Sequence, residues 1–384
     1  MQHLSKKKII LGIVLTALIS SALTLVGLAA LLGLDTAKSL DMVRFLGVKR
    51  MIEARYVRDV DSRDLMNGAI DGMVKSLGDP HSIYLKEDMY KTLKEHTAGT
   101  FGGIGVTMGF KDNKVTIVSV LEGTPGEAAG LKANDEIVAV DGTPVTEFQP
   151  EEVSMHIRGD VGTEVTLTIH REGVENQDYT IQRDTIKLRT AKGKMIDGTQ
   201  MGYIRIASFG ENTGEEFKEE FEKLGQEGMK GLIIDLRQNP GGLVKSCVEV
   251  ADLLVPKGPI VSVVQRDGSK EEHDSSLEEP KYPVVVLIDG NSASASEILA
   301  GALQDTGAGT LVGTKSYGKG SVQVVVPLFE DDGLKLTIAR YYTPNGRCID
   351  GVGIEPDVEV DFQEGDTTDV QLAKAKEVLL QKMQ

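Results

Sequence analysis

Two cysteines, Cys247 and Cys348, are all that the 384 residues contain. That scarcity excludes a disulfide framework and a multi-cysteine zinc site, and it allows one bridge at most. Neither cysteine stands in a recognisable nucleophile signature. Histidine is also sparse: His3, His81, His96, His156, His170 and His273 are the full set, and none forms part of an H-E-x-x-H motif. No metal and no cofactor are therefore expected. Basic charge is short too, since 42 Lys and Arg stand against 58 Asp and Glu for a net charge of −16. A chain so acidic argues against nucleic acid as a partner.

What is present suits roughly two or three domains. Lys6, Lys7 and Lys8 precede Ile9–Leu34, 26 residues without a charge. Such a stretch exceeds the apolar core of an ordinary signal peptide and is long enough to span a bilayer. The lysines favour an inside amino terminus, which leaves everything after about residue 35 outside the cytoplasm. The expectation is a single-pass membrane protein; a cleaved signal and a secreted body is the alternative, kept open by Leu28-Ala29-Ala30. Residues 1–35 form this segment. Residues 36–98 read as helical, with Gly78-Asp79-Pro80 as a breaker.

Residues 99–183 turn to short strands and glycine-rich turns. Phe101-Gly102-Gly103-Ile104-Gly105 leads into an alternating strand, Gly123–Leu131 is a turn with a short helix, and Asp135-Glu136-Ile137 leads on to the Asp141-Gly142 turn. This order resembles a PDZ domain. Gly102, Gly103, Ile104 and Gly105 are its candidate peptide-binding residues, because clustered glycine N–H groups can hold a C-terminal carboxylate. A glycine-rich hairpin that binds nothing is the plainer reading. Arg158 contacts substrate or an inhibitory neighbour, or is simply solvated at a helix end.

From 184 to 362 strands alternate with helices, which predicts a mixed, mostly parallel α/β core. Three apolar strands each precede a loop, and these carry Asn239-Pro240-Gly241-Gly242, Ser294 and Lys319. If the strands are parallel neighbours, the loops meet beyond their carboxyl ends. Ser294 follows the buried-strand pattern Val284–Ile288 and opens a helix, where backbone N–H groups can stabilise an oxyanion. Ser294-Ala295-Ser296-Glu297 also fits a capping box, so Ser294 could only cap that helix. A serine needs a base, and no histidine occupies a strand–loop position near it. Lys319, between Gly318 and Gly320, serves if burial favours its neutral amine; a solvated loop lysine is the alternative. Residues 266–280 read as a charged loop and Glu330-Asp331-Asp332 as a solvated turn. Residues 363–384 form a terminal helix that caps the core or joins the N-terminal helices in a homodimer.

The run Asn291–Asp305 with Gly318-Lys319-Gly320-Ser321-Val322-Gln323, together with Leu236–Gly242, Gly68–Met73 and Asp79-Pro80-His81-Ser82, resembles the C-terminal processing peptidases, or tail-specific proteases. The resemblance covers nearly everything after residue 45. It implies a ClpP/crotonase-like α/β core with a PDZ domain, and a serine endopeptidase acting on protein substrates with accessible C-terminal tails. It assigns Ser294 as nucleophile, Lys319 as general base and Gln323 as the glutamine supporting the dyad. Gly242 and Ala295 become the oxyanion hole. An extended strand would hold Lys319 and Gln323 about 13 Å apart, so their contact requires a bend. An inert PDZ scaffold is the rival reading, and a small-molecule hydrolase or lyase a second. No Gly-Asn-Ser-Gly-Gly-type segment supports a chymotrypsin-like site.

Overall fold

The computed structural model describes residues 13–21, 24, 27, 36–111, 114–148, 150–171, 173–328, 331–362 and 368–384. The chain divides into two compact units, Met1–Gly78 and Asp79–Gln384. In the first, helices Thr36–Arg55 and Ser62–Lys75 follow one another. The Asp61 carboxylate starts the second helix by accepting the N–H groups of Arg63 at 2.6 Å and Asp64 at 3.4 Å, donors that a first turn leaves open. Residues 13–21 are helical. Most of the remaining apolar stretch lies outside the described residues, and among the described ones no helix is long and apolar enough to cross a membrane.

The second unit contains an antiparallel sheet in the order Val106–Lys111, Lys114–Val120, Glu136–Val140, Glu164–Arg171, Val174–Gln182. Alternation decides which face it buries: Val165, Leu167 and Ile169 turn inward against Ile117, Ile137 and Val153. The buried Asp135 carboxylate is met by Arg171 through two bonds of 2.7 Å, a bidentate geometry that offsets its desolvation. Val106–Lys111 pairs on one side only and so forms an edge.

The core is a sheet of four adjacent parallel strands, β1 (Met201–Ile206), β2 (Gly231–Asp235), β3 (Val284–Ile288) and β4 (Gly309–Gly313). Ala191–Met195 joins β1 antiparallel and Val358–Glu359 joins β4. β2 and β3 are buried throughout, as a parallel sheet covered on both faces requires. Ile234 and Val286 face three helices, Thr213–Gln226, Val244–Ala251 and α1 (Ala295–Asp305), while Ile233, Val285 and Leu287 face the C-terminal helix Val370–Lys382. Each fully buried aliphatic side chain contributes about 1.5–3 kcal/mol. The terminal helix thus packs within its own chain. Its start is held by Arg237, which donates to the two Asp369 oxygens at 2.9 and 2.8 Å.

A second, antiparallel sheet is built on the hairpin β5 (Ser321–Pro327) and β6 (Gly333–Tyr342). Its members correct two sequence expectations. Ile83–Leu85, inside the span read as helical, pairs with β6. Lys270–Ser275, inside the span read as a charged loop, pairs with Gly258–Gln265 as an edge strand. Charged residues on an exposed edge discourage further pairing, so the composition of a loop and of such a strand look alike.

Candidate active site

Parallel neighbours end on one side of a sheet, and the loops after β2 and β3 accordingly lie against each other. The Asp289 carboxylate accepts the Gln238 and Asn291 N–H groups at 3.0 Å each. Two of the three serines of the β3 loop belong to this scaffold. Ser292 donates to the Leu236 carbonyl at 2.8 Å and Ser296 to the Asn239 carbonyl at 3.0 Å, both fully buried. Ser294 differs from both. It stands at φ 55°, ψ −116°, in a region L-residues avoid, and lines an open cleft of about 370 Å³. Strain of this kind accompanies a nucleophile held on a sharp strand-to-helix turn.

The capping geometry is present too, and it reaches further than a cap. Glu297, the third residue of α1, is fully buried. One of its oxygens accepts the N–H groups of Ser294 and Lys319, both at 2.9 Å. The other accepts the Ser316 hydroxyl at 2.5 Å and the Gly318 N–H at 2.7 Å. Four donors on two oxygens suit an acceptor-only carboxylate. Tyr341 of β6 adds a second tie, its hydroxyl bonding the carbonyls of Ser294 (3.1 Å) and Lys319. Burial first, and Glu297 after it, push the Tyr341 phenol well above its usual range. The sequence offered Glu297 only as a capping residue and gave no signal for Tyr341.

Beside Ser294 runs the Asn239–Gly242 loop. The Asn239 side chain accepts the Gly241 N–H at 2.9 Å and donates to the Ile206 carbonyl at 2.8 Å, while its carbonyl accepts the Ala293 N–H at 3.0 Å. Gly242 has φ 146°, and a Cβ there would stand 2.1 Å from the Phe209 carbonyl oxygen, so only glycine fits. No acceptor is found for the N–H of Gly242 or of Ala295 among the described residues.

Lys319 lines the same cleft as Ser294 and Gly242. Gly320, where a Cβ would lie 2.5 Å from the Asp350 nitrogen, lets the chain pass there. Burial, then the neighbouring Lys335 charge, lowers the Lys319 pKa from its ordinary 10.5; Asp79 and Glu297 oppose this. The ammonium makes no hydrogen bond or ion pair among the described residues, and its side chain is not bonded to Ser294 here. Among the described residues no histidine, aspartate or glutamate lines the cleft. Gln323 lines it, but its amide donates to Ser321 at 2.9 Å and Thr337 at 3.2 Å rather than to Lys319. β5 carries a register shift between Val322 and Gln323, but it does not bring Gln323 into a bond with Lys319.

Asp79 and Ser82, in the span read as helical, sit beside this site. Ser82 donates to Asp79 at 2.6 Å and accepts the Thr337 N–H at 3.0 Å. Burial raises the Asp79 pKa, but hydrogen bonds from Ser82, Thr337 and His81 outweigh it and hold it at about 2.

The glycines read as a peptide-binding loop are buried. Gly102 and Gly103 lie in a strand paired with Asp184–Lys187, and the Ile104 and Gly105 carbonyls accept the Gly126 and Leu121 N–H groups at 2.7 and 2.8 Å. Arg158 stacks on the Phe101 ring at 4.1 Å.

Comparison with known proteins matches this architecture along most of the chain. Residues 200–360 match peptidase family S41, residues 116–171 a PDZ domain, and residues 35–89 the activating protease CtpB N-terminal domain. The carboxy-terminal processing protease CtpB of Bacillus subtilis is 38% identical over 331 residues, 85% of this chain and 69% of that protein. A carboxy-terminal-processing protease of Bartonella bacilliformis is 40% identical over 328 residues, 83% of this chain and 75% of its own. Among solved structures, the photosystem II D1 C-terminal processing protease superposes with a TM-score of 0.51 at 29% identity, covering 87% of this chain and 96% of its own. The chain belongs to the carboxy-terminal processing proteases, the serine-type peptidases of family S41 that carry a PDZ domain.

Proposed function

We propose that this serine protease is a membrane-anchored, extracytoplasmic endopeptidase that holds a protein C-terminal tail at its PDZ domain and cleaves through an acyl-enzyme on Ser294. The observation carrying this reading is that Ser294 and Lys319 open onto one cleft and are tied by one buried carboxylate, Glu297.

In this mechanism the neutral Lys319 amine takes the Ser294 hydroxyl proton as Oγ attacks the scissile carbonyl. The developing oxyanion meets the free N–H groups of Gly242 and Ala295. Collapse breaks the peptide bond, and Lys319 returns the proton to the departing amine. Water then attacks the ester with Lys319 again as base, releasing the new carboxyl terminus. The dyad closes by a change of the Lys319 side chain, and Gln323 releases Ser321 or Thr337 to support it. The edge strand Val106–Lys111 supports addition of a peptide strand, with the Gly102, Gly103, Ile104 and Gly105 segment at its start taking the tail carboxylate.

The charge-free Ile9–Leu34 after three lysines supports the anchor and the export of the rest. Exposed Leu40, Val43 and Leu46 on helix Thr36–Arg55 support pairing with a second copy.

The test incubates the chain, Ser294→Ala and Lys319→Ala with a flexible protein bearing a free or blocked C-terminus, and reads fragments by mass. Cutting is expected from the unaltered chain alone, weakened by the block. Normal turnover by either variant would sink the dyad.

A further inference from the structure

Lys335 is a second lysine of the cleft that the mechanism leaves unused. It lies on β6 opposite Val325, and Thr337 two residues on lies opposite Gln323. Residues two apart share a face of a strand, so Lys335 stands on the face that presents Gln323 and Val325 to the cleft, and it lines that cleft with Ser294 and Lys319. It is only partly exposed. Among the described residues its ammonium makes no hydrogen bond or ion pair.

A half-buried cation without a counter-ion is incomplete in electrostatic terms. The chain has 58 acidic residues, yet among the described residues none lines the cleft. Asp79, the nearby carboxylate, is already engaged by the Ser82 hydroxyl at 2.6 Å and the His81 N–H at 2.9 Å. Once Lys319 is neutral and able to act as a base, Lys335 is the one cation left among the described residues that line the cleft.

We infer that Lys335 is a specificity-determining residue that pairs with a carboxylate of the bound peptide, so that the cleft favours an acidic group near the scissile bond. This rests on the reading of Ser294 as nucleophile in the same cleft. The carboxylate is an acidic side chain or the peptide's own terminus, and one experiment separates the two.

Full-length chain and its Lys335→Met, Lys335→Arg and Lys335→Glu variants are given peptides with Glu or Gln at each position flanking the cut, each with a free or amidated terminus. The quantity read is the ratio of kcat/KM between paired peptides, which cancels any common effect on Lys319. A Glu/Gln preference of about fivefold to tenfold is expected, kept by Lys335→Arg, lost in Lys335→Met and reversed in Lys335→Glu. If the free/amidated ratio collapses in Lys335→Met instead, the partner is the terminal carboxylate; a ratio that survives there belongs to the PDZ domain. Identical ratios in the unaltered chain and Lys335→Met, with Ser294 still labelled by a serine-directed acylating probe, overturn the inference and leave the nucleophile standing. An unaltered chain that neither cuts nor takes the probe overturns both.

Discussion

One oxygen of the Glu297 carboxylate accepts the backbone N–H of Lys319 at 2.9 Å, and the same oxygen accepts the N–H of Ser294 at the same distance. The two residues belong to loops 25 positions apart in the chain (319 − 294). Their N–H groups therefore share one buried acceptor, and the Tyr341 hydroxyl ties their carbonyls, with no contact between the two residues required. Ser294 and Lys319 move together if that acceptor changes.

Glu297→Gln keeps one acceptor oxygen and turns an NH₂ group onto two of the four donors. A loss of stability of about 2–4 kcal/mol is expected from the stranded donors, read by urea denaturation. With folding maintained, kcat should fall by about 100-fold while KM changes little, since displacement by an ångström costs that much. An unchanged kcat would mean that the carboxylate only caps α1.

Ser294 occupies φ 55°, ψ −116°, where glycine is at ease and alanine is not. Both Ser294→Gly and Ser294→Ala remove the hydroxyl proposed as nucleophile. The glycine variant should nevertheless be more stable than the alanine variant by about 1 kcal/mol, measured as thermal or urea midpoints. Equal midpoints would show that the turn carries no strain.

Burial and the Lys335 charge hold Lys319 below its ordinary 10.5, so cleavage should rise with pH over a limb displaced below the usual lysine range. A rate flat from about pH 5 to 10 would argue against a lysine base. Stability follows the same sign. Below the folded pKa the ammonium is charged in both states and its burial cost is complete. As pH rises towards 10.5 the folded state sheds its proton first, and stability climbs. Lys319→Met should therefore melt higher than the unaltered chain at neutral pH, by a margin that shrinks on the alkaline side.

Asp79 opposes that displacement, because its charge favours the Lys319 ammonium. Asp79→Asn should move the rising limb of kcat to lower pH. Its own carboxyl, held at about 2, supplies stability that is present above its ordinary 3.8 and lost as pH falls through 2. The variant should accordingly show less acid destabilisation between those values. A limb that stays in place would separate Asp79 from the site.

Much of this was legible in the chain. The apolar runs Gly231–Asp235 and Val284–Ile288 read as buried strands and are buried along their whole length. The serine, the lysine and the double glycine stand in short motifs with small residues around them, and all line one cleft. What escaped was polar and distant. Glu297 looks like a capping residue because a capping box is a local pattern, and its bonds to Ser316, Gly318 and Lys319 are not local. Lys270–Ser275 carries the composition of a loop because an edge strand is half in water.

The sequence by itself determined the buried strands of the parallel core and the residues that could do chemistry, because hydrophobic period and turn chemistry act over a few positions. Tertiary structure alone decided that Ser292 and Ser296 are spent on buried backbone bonds and which carboxylate joins Ser294 to the lysine. It also decided that Gln323 bonds Ser321 and Thr337, and that Asp79 and Lys335 bear on Lys319. Those are matters of burial and of pairing between distant strands. A side chain's desolvation and its partners' charges exist only once the chain has closed around it.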